Sequence, residues 1–580
     1  MYMAAFVCLY KDTNETTVSD FMLTNSMQRS QQSGWIEVDA VGGRLIDPGR
    51  LDLLVTSLSD PTHQFPQIVF CVGGAGKRRA LDQFFPQNGL AQVAPSDGLA
   101  DLHLDHSRSD LPNPLLFADC TLDGRIPIRT QAGQRLKTKL ADSTSALCPK
   151  KANNTVLTRL VFPFVDVIAI FADDLGGLDA VLKYLEDWST GEVAATTPWK
   201  ARPRVVVITF ELETSEAVQR KKAFNSQIRA VKHRRHFSAV RLTQCSPRSS
   251  AAARRSVLDD ELRAAIGHRK SERVLFTAQH LSWFFSRAVA HVNDKPHEPL
   301  DFIAASRFLR PLDYRYTDQL RMFLRLAADH SIDDETVTQM IASSIVLDAY
   351  PPSAHGSFSH SITISGIANA RVEFCPADVF STIYEAAVRR ALEAKDVRGL
   401  EGPDHVDPVR LLGRITAKFC KFVNVSFAKE GSKDFNWAVQ CRLRILKATH
   451  GYVRWDKVRS NICCLGCFGD CPQHVLSCTH SFCDSCVPRF GEPESTQEYR
   501  YAVWKCPICS TPSDLRVVLK PPTAGIRVLN IDGGGVRGVV PLKILELLQA
   551  SMGQGGPIQD YFDIAFGVSA GTSSQRPTSS

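Results

Sequence analysis

Two groups of residues in this 580-residue chain carry chemistry by type and spacing. The first is Cys464-x2-Cys467, Cys478-x-His480-x2-Cys483-x2-Cys486 and Cys506-x2-Cys509, eight soft ligands. A pair of ligands two residues apart lets one tight turn present both side chains to a tetrahedral Zn²⁺, with sulfur at about 2.3 Å. Eight ligands of this kind are enough for two zinc ions. Nine of the 17 cysteines fall between 463 and 509, a clustering that metal sites show and intracellular disulfides do not. Cys463, Cys471 and His474 are spare, and Cys463 or Cys471 could replace a member of the first pair. A segment of roughly 50 residues buries little apolar surface, so metal binding here would be folding energy.

The second group lies in 528–571. VLNI at 528–531 has strand length, and DGGGVRG at 532–538 is too glycine-rich for anything but a tight loop. Pro541 starts a helix that places Leu542, Leu545 and Leu548 on one face. A second strand then runs into Gly567-Val568-Ser569-Ala570-Gly571, a G-x-S-x-G sequence. Small residues on both sides of Ser569 let the chain turn sharply and expose the hydroxyl as a nucleophile. Gly533, Gly534 and Gly535 offer unhindered backbone N–H groups to a developing oxyanion, and Arg537 adds positive charge.

DGGGVRG followed by the proline, the leucine helix, YFDIAF and GVSAG resembles the patatin-like phospholipase family, in the multidomain form found in fungi. The resemblance implies a three-layer α/β acyl hydrolase that uses a Ser/Asp dyad on phospholipids and other acyl esters without calcium. Ser569 matches the family's nucleophile, and Gly533, Gly534, Gly535 and Arg537 match its oxyanion loop. The family's base is an aspartate more than a hundred residues beyond the serine. Residues 572–580 read TSSQRPTSS, so only the opening part of such a domain is expected here, without its base.

The cysteine and histidine spacing in turn resembles the RING finger. Its cross-brace implies one zinc on Cys464, Cys467, Cys483 and Cys486 and a second on Cys478, His480, Cys506 and Cys509. RING fingers often dock a ubiquitin-conjugating enzyme on an apolar groove, for which Leu465, Trp504, Pro507 and Ile508 are the candidates. No arginine or lysine stands at 510–513 to act as a cationic clamp, so a structural or partner-docking zinc domain is expected rather than a ligase.

The elements around these groups are α/β first and helical later. IVFCV, PLLFADC, VDVIAIFAD and RVVVITF alternate with helical stretches between 67 and 210, which argues for a largely parallel sheet. Its first turn, Cys71-Val72-Gly73-Gly74-Ala75-Gly76-Lys77-Arg78, departs from G-x-x-x-x-G-K-[ST], since Cys71 replaces the first glycine and Arg78 the hydroxyl residue. A domain similar to P-loop NTPases is expected, with Lys77 the one nucleotide-binding candidate and no complete site. From 258 to 452 the periodicity is helical, as in YTDQLRMFLRLAADH and VRLLGRITAKFCKFV. The expected domains are therefore 1–60 with no motif, 61–245 α/β, 255–455 helical, 456–515 zinc-binding and 523–580 patatin-like.

A hydrophobic content of 44% excludes a disordered chain, and a net charge of +7 is too small for a dedicated nucleic-acid binder. Basic residues at 220–255 read as a solvated helix face and linker, compatible with contact to an anionic membrane surface. The N-terminus lacks the basic start of a signal peptide, and no run of 18 apolar residues occurs. An intracellular, cytoplasmic protein, at most peripheral to membranes, is expected, acting on an acyl-ester substrate and meeting a protein partner through the zinc module.

Overall fold

Strands that are apolar at every position need cover on both faces, and a parallel sheet between helices provides it. In the computed structural model, Gln67–Val72 (β1), Ala100–Leu104 (β2), Leu115–Cys120 (β3), Val167–Phe171 (β4), Arg204–Thr209 (β5) and Ala239–Gln244 (β6) form one sheet. Its order is β6-β5-β4-β1-β3-β2, parallel throughout except for the β2–β3 pair. All positions of β1 to β5 are buried, whereas the edge strand β6 is half-exposed. The residues described are 33–39, 44–90, 99–121, 128–129, 135–136, 154–190, 195–210, 214–230, 236–245, 250–308, 310–350, 374–394, 407–430, 436–495, 498–521, 524–531, 535–551, 558–562 and 564–567.

Helices Ala75–Phe84 (α1), Leu178–Ser189 (α2) and Ser215–Ala230 (α3) follow β1, β4 and β5. The chain divides into two compact units, Met1–Ser306 with Ser361–Phe374, and Arg307–His360 with Cys375–Ser580. The helices Ala251–Ser271 (α4) and Ala278–Asp294 (α5) thus belong with the sheet, although the sequence pattern starts the helical domain at 255. Burial explains their place. Leu258 and Leu262 of α4 share a core with Val69, Leu115 and Val206. Arg269 pairs with Asp166 at 2.9 Å, and Asp166 also accepts the Ile68 N–H of β1. Arg204 of β5 pairs with Glu261 of α4.

In the second unit Tyr316–Asp329 (α6), Asp334–Ala349 (α7), Glu385–Leu392 (α8), Pro408–Glu430 (α9) and Trp437–Thr449 (α10) surround one core. The N-cap Asp333 accepts the Thr336 N–H and starts α7. Eleven consecutive or nearly consecutive positions of α7, from Thr336 to Leu347, are buried, as expected of a central helix rather than an amphipathic one. A short hairpin, His474–Val475 (β7) with Ser481–Phe482 (β8), is followed by a three-stranded antiparallel sheet of Glu492–Pro493 (β9), Arg500–Lys505 (β10) and Pro512–Val518 (β11). Their cysteines lie in the same core cluster as Phe323, Ile345 and Phe419, so the module has no separate core. Val528–Ile531 (β12), Val539–Ser551 (α11) and Ile564–Gly567 (β13) come last, with β12 parallel to β13. No helix among the described residues is long and apolar enough to cross a membrane.

Candidate functional site

The cysteines and His480 gather into two sets of four, Cys464, Cys467, Cys483 and Cys486, and Cys478, His480, Cys506 and Cys509. Within each set the ligand atoms lie within 4.8 Å of one another. In the first set the turn after Cys464 is closed by the Cys467 and Phe468 N–H groups, both donating to the Cys464 carbonyl. A short 3-10 turn, Asp484–Cys486, presents the second pair. The Cys464–Cys486 and Cys467–Cys483 sulfur separations are 3.7 and 3.6 Å. Four sulfurs at about 2.3 Å from one ion stand about 3.8 Å apart, so the spacing fits a tetrahedral centre. Gly466 is needed between the pair, because a Cβ there would come within 3.0 Å of the Cys486 sulfur and the Phe490 ring. The Gly469 and Cys483 N–H groups each donate to a cluster sulfur at 3.4 Å, which favours the thiolate.

The second set is built on the β7–β8 hairpin, whose left-handed Thr479 turns Cys478 and His480 the same way. His480 Nδ1 lies 3.4 Å from Cys478 Sγ and 3.6 Å from Cys506 Sγ. Its Nε2 lies 2.9 Å from both the Trp455 carbonyl oxygen and Arg459 Nη1; in the tautomer whose Nε2–H donates to that carbonyl, Nδ1 keeps a lone pair for a metal. Burial, and then the nearby Arg459 charge, push the His480 pKa down to about 4, so the ring is neutral at pH 7. Neutral imidazole is the ligating form. Both sets can hold metal ions. The spare residues lie outside them: Cys463 is a buried thiol whose pKa burial drives well up, Cys471 Sγ accepts from Gln319 Nε2, and His474 pairs with Asp484.

Sequence reasoning missed the outer partners. Arg442 is fully buried, and its guanidinium donates to the Leu465 and Gly466 carbonyls at 2.9 and 3.0 Å, inside the first metal turn. Burial lowers its pKa to about 10, which still leaves it charged at pH 7. Burial also opposes the charge of Arg489, but the sulfurs of Cys486, Cys467 and Cys483 outweigh it and hold that pKa up. In a helix reading QCRLRILK nothing marks one arginine from the next, and the Trp455 partner is a backbone atom with no residue-type signal. The four groove candidates do not form one exposed surface, since Leu465 and Ile508 are buried in the core while Trp504 is exposed under the Arg516 guanidinium.

The glycine-rich turn after β1 binds an anion of its own chain. The Gly74, Gly76 and Lys77 N–H groups donate to the Asp174 carboxylate at 2.9, 3.0 and 2.7 Å. A Cβ on Gly76 would meet that carboxylate at 2.5 Å. Lys77 is buried, with Nζ 2.6 Å from Asp119 and donating to the Cys120 carbonyl at 2.7 Å. Both halves of a phosphate-binding loop are therefore engaged within the protein.

In the C-terminal segment, Val528 pairs with Ile564 and Ile531 with Gly567, so the strands leading to the glycine loop and to the serine finish side by side. Gly535 has φ of 57°, a left-handed conformation suited to glycine, and opens the 3-10 turn Gly535–Gly538 that carries the Arg537 backbone. Gly533, Gly534, Ser569 and Gly571 lie outside the described residues, as does the Arg537 side chain.

No family model matches the chain. It is 42% identical over 59 residues to Patatin-like protein 2 of Arabidopsis thaliana, covering 9% of this chain and 14% of that protein. It is 39% identical over 64 residues to Patatin-like protein 3 of Arabidopsis thaliana, covering 10% and 15%. Over 50 residues it is 46% identical to Patatin-like protein 2 of Oryza sativa subsp. indica, covering 8% and 12%. The chain spans about 14% of the length of these curated relatives, and what it shares with patatin-like proteins is one short segment.

Proposed function

We propose that this chain carries the opening segment of a patatin-like serine acyl hydrolase at 523–580, behind a RING-type module that holds two zinc ions. The observation that carries the hydrolase reading is the parallel register in which Ile531 faces Gly567. Two turns that follow neighbouring parallel strands start from the same edge of the sheet, which is where α/β proteins place their chemistry. Ser569 would attack the ester carbonyl of a phospholipid or lysophospholipid, with the N–H groups of Gly533, Gly534 and Gly535 receiving the oxyanion and Arg537 adding charge. Water would then release the acyl group. The attack needs a base for the Ser569 proton, and 572–580 contains no aspartate.

The soft donor sets, four sulfurs in the first cluster and three sulfurs with one imidazole in the second, and their tetrahedral spacing support zinc in both clusters. There the ion would supply cross-linking and folding energy. A second reading, a zinc-dependent scaffold, is favoured by the burial of Leu465 and Ile508, which leaves little apolar groove for a conjugating enzyme. A fluorophosphonate probe applied to the native protein from its source cells decides the nucleophile. Labelling is expected in the wild type and lost in Ser569→Ala; labelling that survives the substitution removes Ser569 from the role and leaves the scaffold reading.

A further inference from the structure

The first metal turn is held from two sides by helices that precede it by more than a hundred or by some twenty residues. Along α6, Arg315 at the N-cap reaches Asp470 at 3.1 Å, Gln319 donates to Cys471, and Phe323 stacks on Phe468 with ring centroids 3.9 Å apart. Positions four apart share one face of a helix, so this face is committed to the 468–471 segment. From α10, Arg442 enters the turn itself. Besides the Leu465 and Gly466 carbonyls it bonds Met340 O and Ser343 Oγ of α7 at 2.6 and 2.7 Å, and it lies 4.7 Å from the Phe468 ring centroid.

The partners named for Arg442 are all uncharged. A buried guanidinium is costly to hold without a nearby negative charge. Four thiolates around one divalent ion carry a net charge of about −2, and the cysteines of the first set are the negative groups next to Arg442. We propose that Arg442 is a charge-compensating positioning residue of the first metal centre, acting from the helices while Arg489 acts from within the module, and that through Arg442 the helices and the metal turn form one folding unit. The inference rests on the metal-binding reading and goes beyond it: metal loss at this centre leaves the Arg442 charge without a counter-charge in the middle of α7 and α10. The second centre is bounded by a different cation: its ligand His480 meets the Trp455 carbonyl and the half-buried Arg459 Nη1, each at 2.9 Å, and Arg442 does not reach it.

The test uses the full chain loaded with Co²⁺ in place of the native metal, whose thiolate charge-transfer and d–d bands report each centre. Cys483→Ser and Cys509→Ser assign the bands. Arg442→Met is expected to weaken Co²⁺ at the first centre by roughly tenfold to a hundredfold, the usual effect of removing an outer partner, and to leave the second centre unchanged. Arg442→Lys, which keeps the charge, is expected to retain more of that affinity. Phe323→Leu, which removes only packing, should lower the helical melting point and spare the Co²⁺ affinity, so a fold defect alone is recognisable. Equal first-centre affinity in wild type and Arg442→Met overturns the inference, and so does an Arg442→Lys variant no better than Arg442→Met. A wild-type chain that takes up no Co²⁺ overturns the metal reading as well.

Discussion

Asp174 occupies the place that a phosphate takes in a glycine-rich loop. Three backbone N–H groups converge on it, and Lys77 is already neutralised by Asp119. Adding a nucleoside triphosphate with Mg²⁺ is therefore expected to leave the melting temperature of the wild type unchanged. Asp174→Ala removes the shared acceptor and should destabilise the first unit by about 1–3 kcal/mol in urea titrations. His103 sets a pH dependence in the same unit. It is buried in β2, and burial lowers its pKa to about 4. The unfolded chain takes up the proton near pH 6.5 and the folded one does not, so this stability is complete above 6.5 and is lost as pH falls toward 4. The loss is on the order of 3 kcal/mol, and His103→Gln should remove that part of the slope in urea midpoints measured against pH.

Single elements are stabilised at their ends and tested by what they leave uncovered. Glu335 in the first turn of α7 receives Lys418 and Arg414 of α9 at 2.6 and 2.8 Å. Hydrogen bonding by Lys418 leads the causes that lower its pKa to about 2. A depressed carboxylate stabilises the fold above its unfolded value of 4.5, and the contribution disappears as pH falls from 4.5 to 2. The pair is half-exposed, so the effect is modest and salt-sensitive, and Glu335→Gln should flatten that acid limb of a thermal-melt profile. At the other extreme, α11 has no buried residue although Leu542, Ile544, Leu547 and Leu548 are apolar, and Ile564 and Phe566 of β13 are exposed too. Exposed apolar side chains in this number favour association in water. Light scattering should show self-association of the full chain that a variant ending at 521 lacks.

For the molecule as a whole, both clusters of candidate metal ligands lie in the second unit, while the sheet of the first unit is held by Asp166–Arg269, Arg204–Glu261 and its apolar strands. Stripping the metal with a chelator should therefore separate the two units in stability. Limited proteolysis after chelation is expected to cut within 307–521 and to leave a fragment containing β1 to β6 resistant. A resistant second unit in the chelated protein would mean that its helices hold without metal.

Periodicity and ligand type were sufficient for much of this protein. Runs such as IVFCV and RVVVITF can only be strands covered on both faces, and YTDQLRMFLRLAADH can only bury one face of a helix, because local sequence sets the period of burial. Paired cysteines two residues apart marked the turns that gather into the two candidate metal clusters, for the same local reason. The sequence could not show that α4 packs against the sheet, or that α5 belongs to the same unit, since a helix period does not say which core takes its apolar face. Nor could it show that Asp174 fills the glycine loop a hundred residues earlier, or that Arg442 enters the Cys464 turn. Those contacts join residues far apart in the chain, and only the tertiary structure decides which buried charge finds which partner, because each pairing depends on how the separate elements pack.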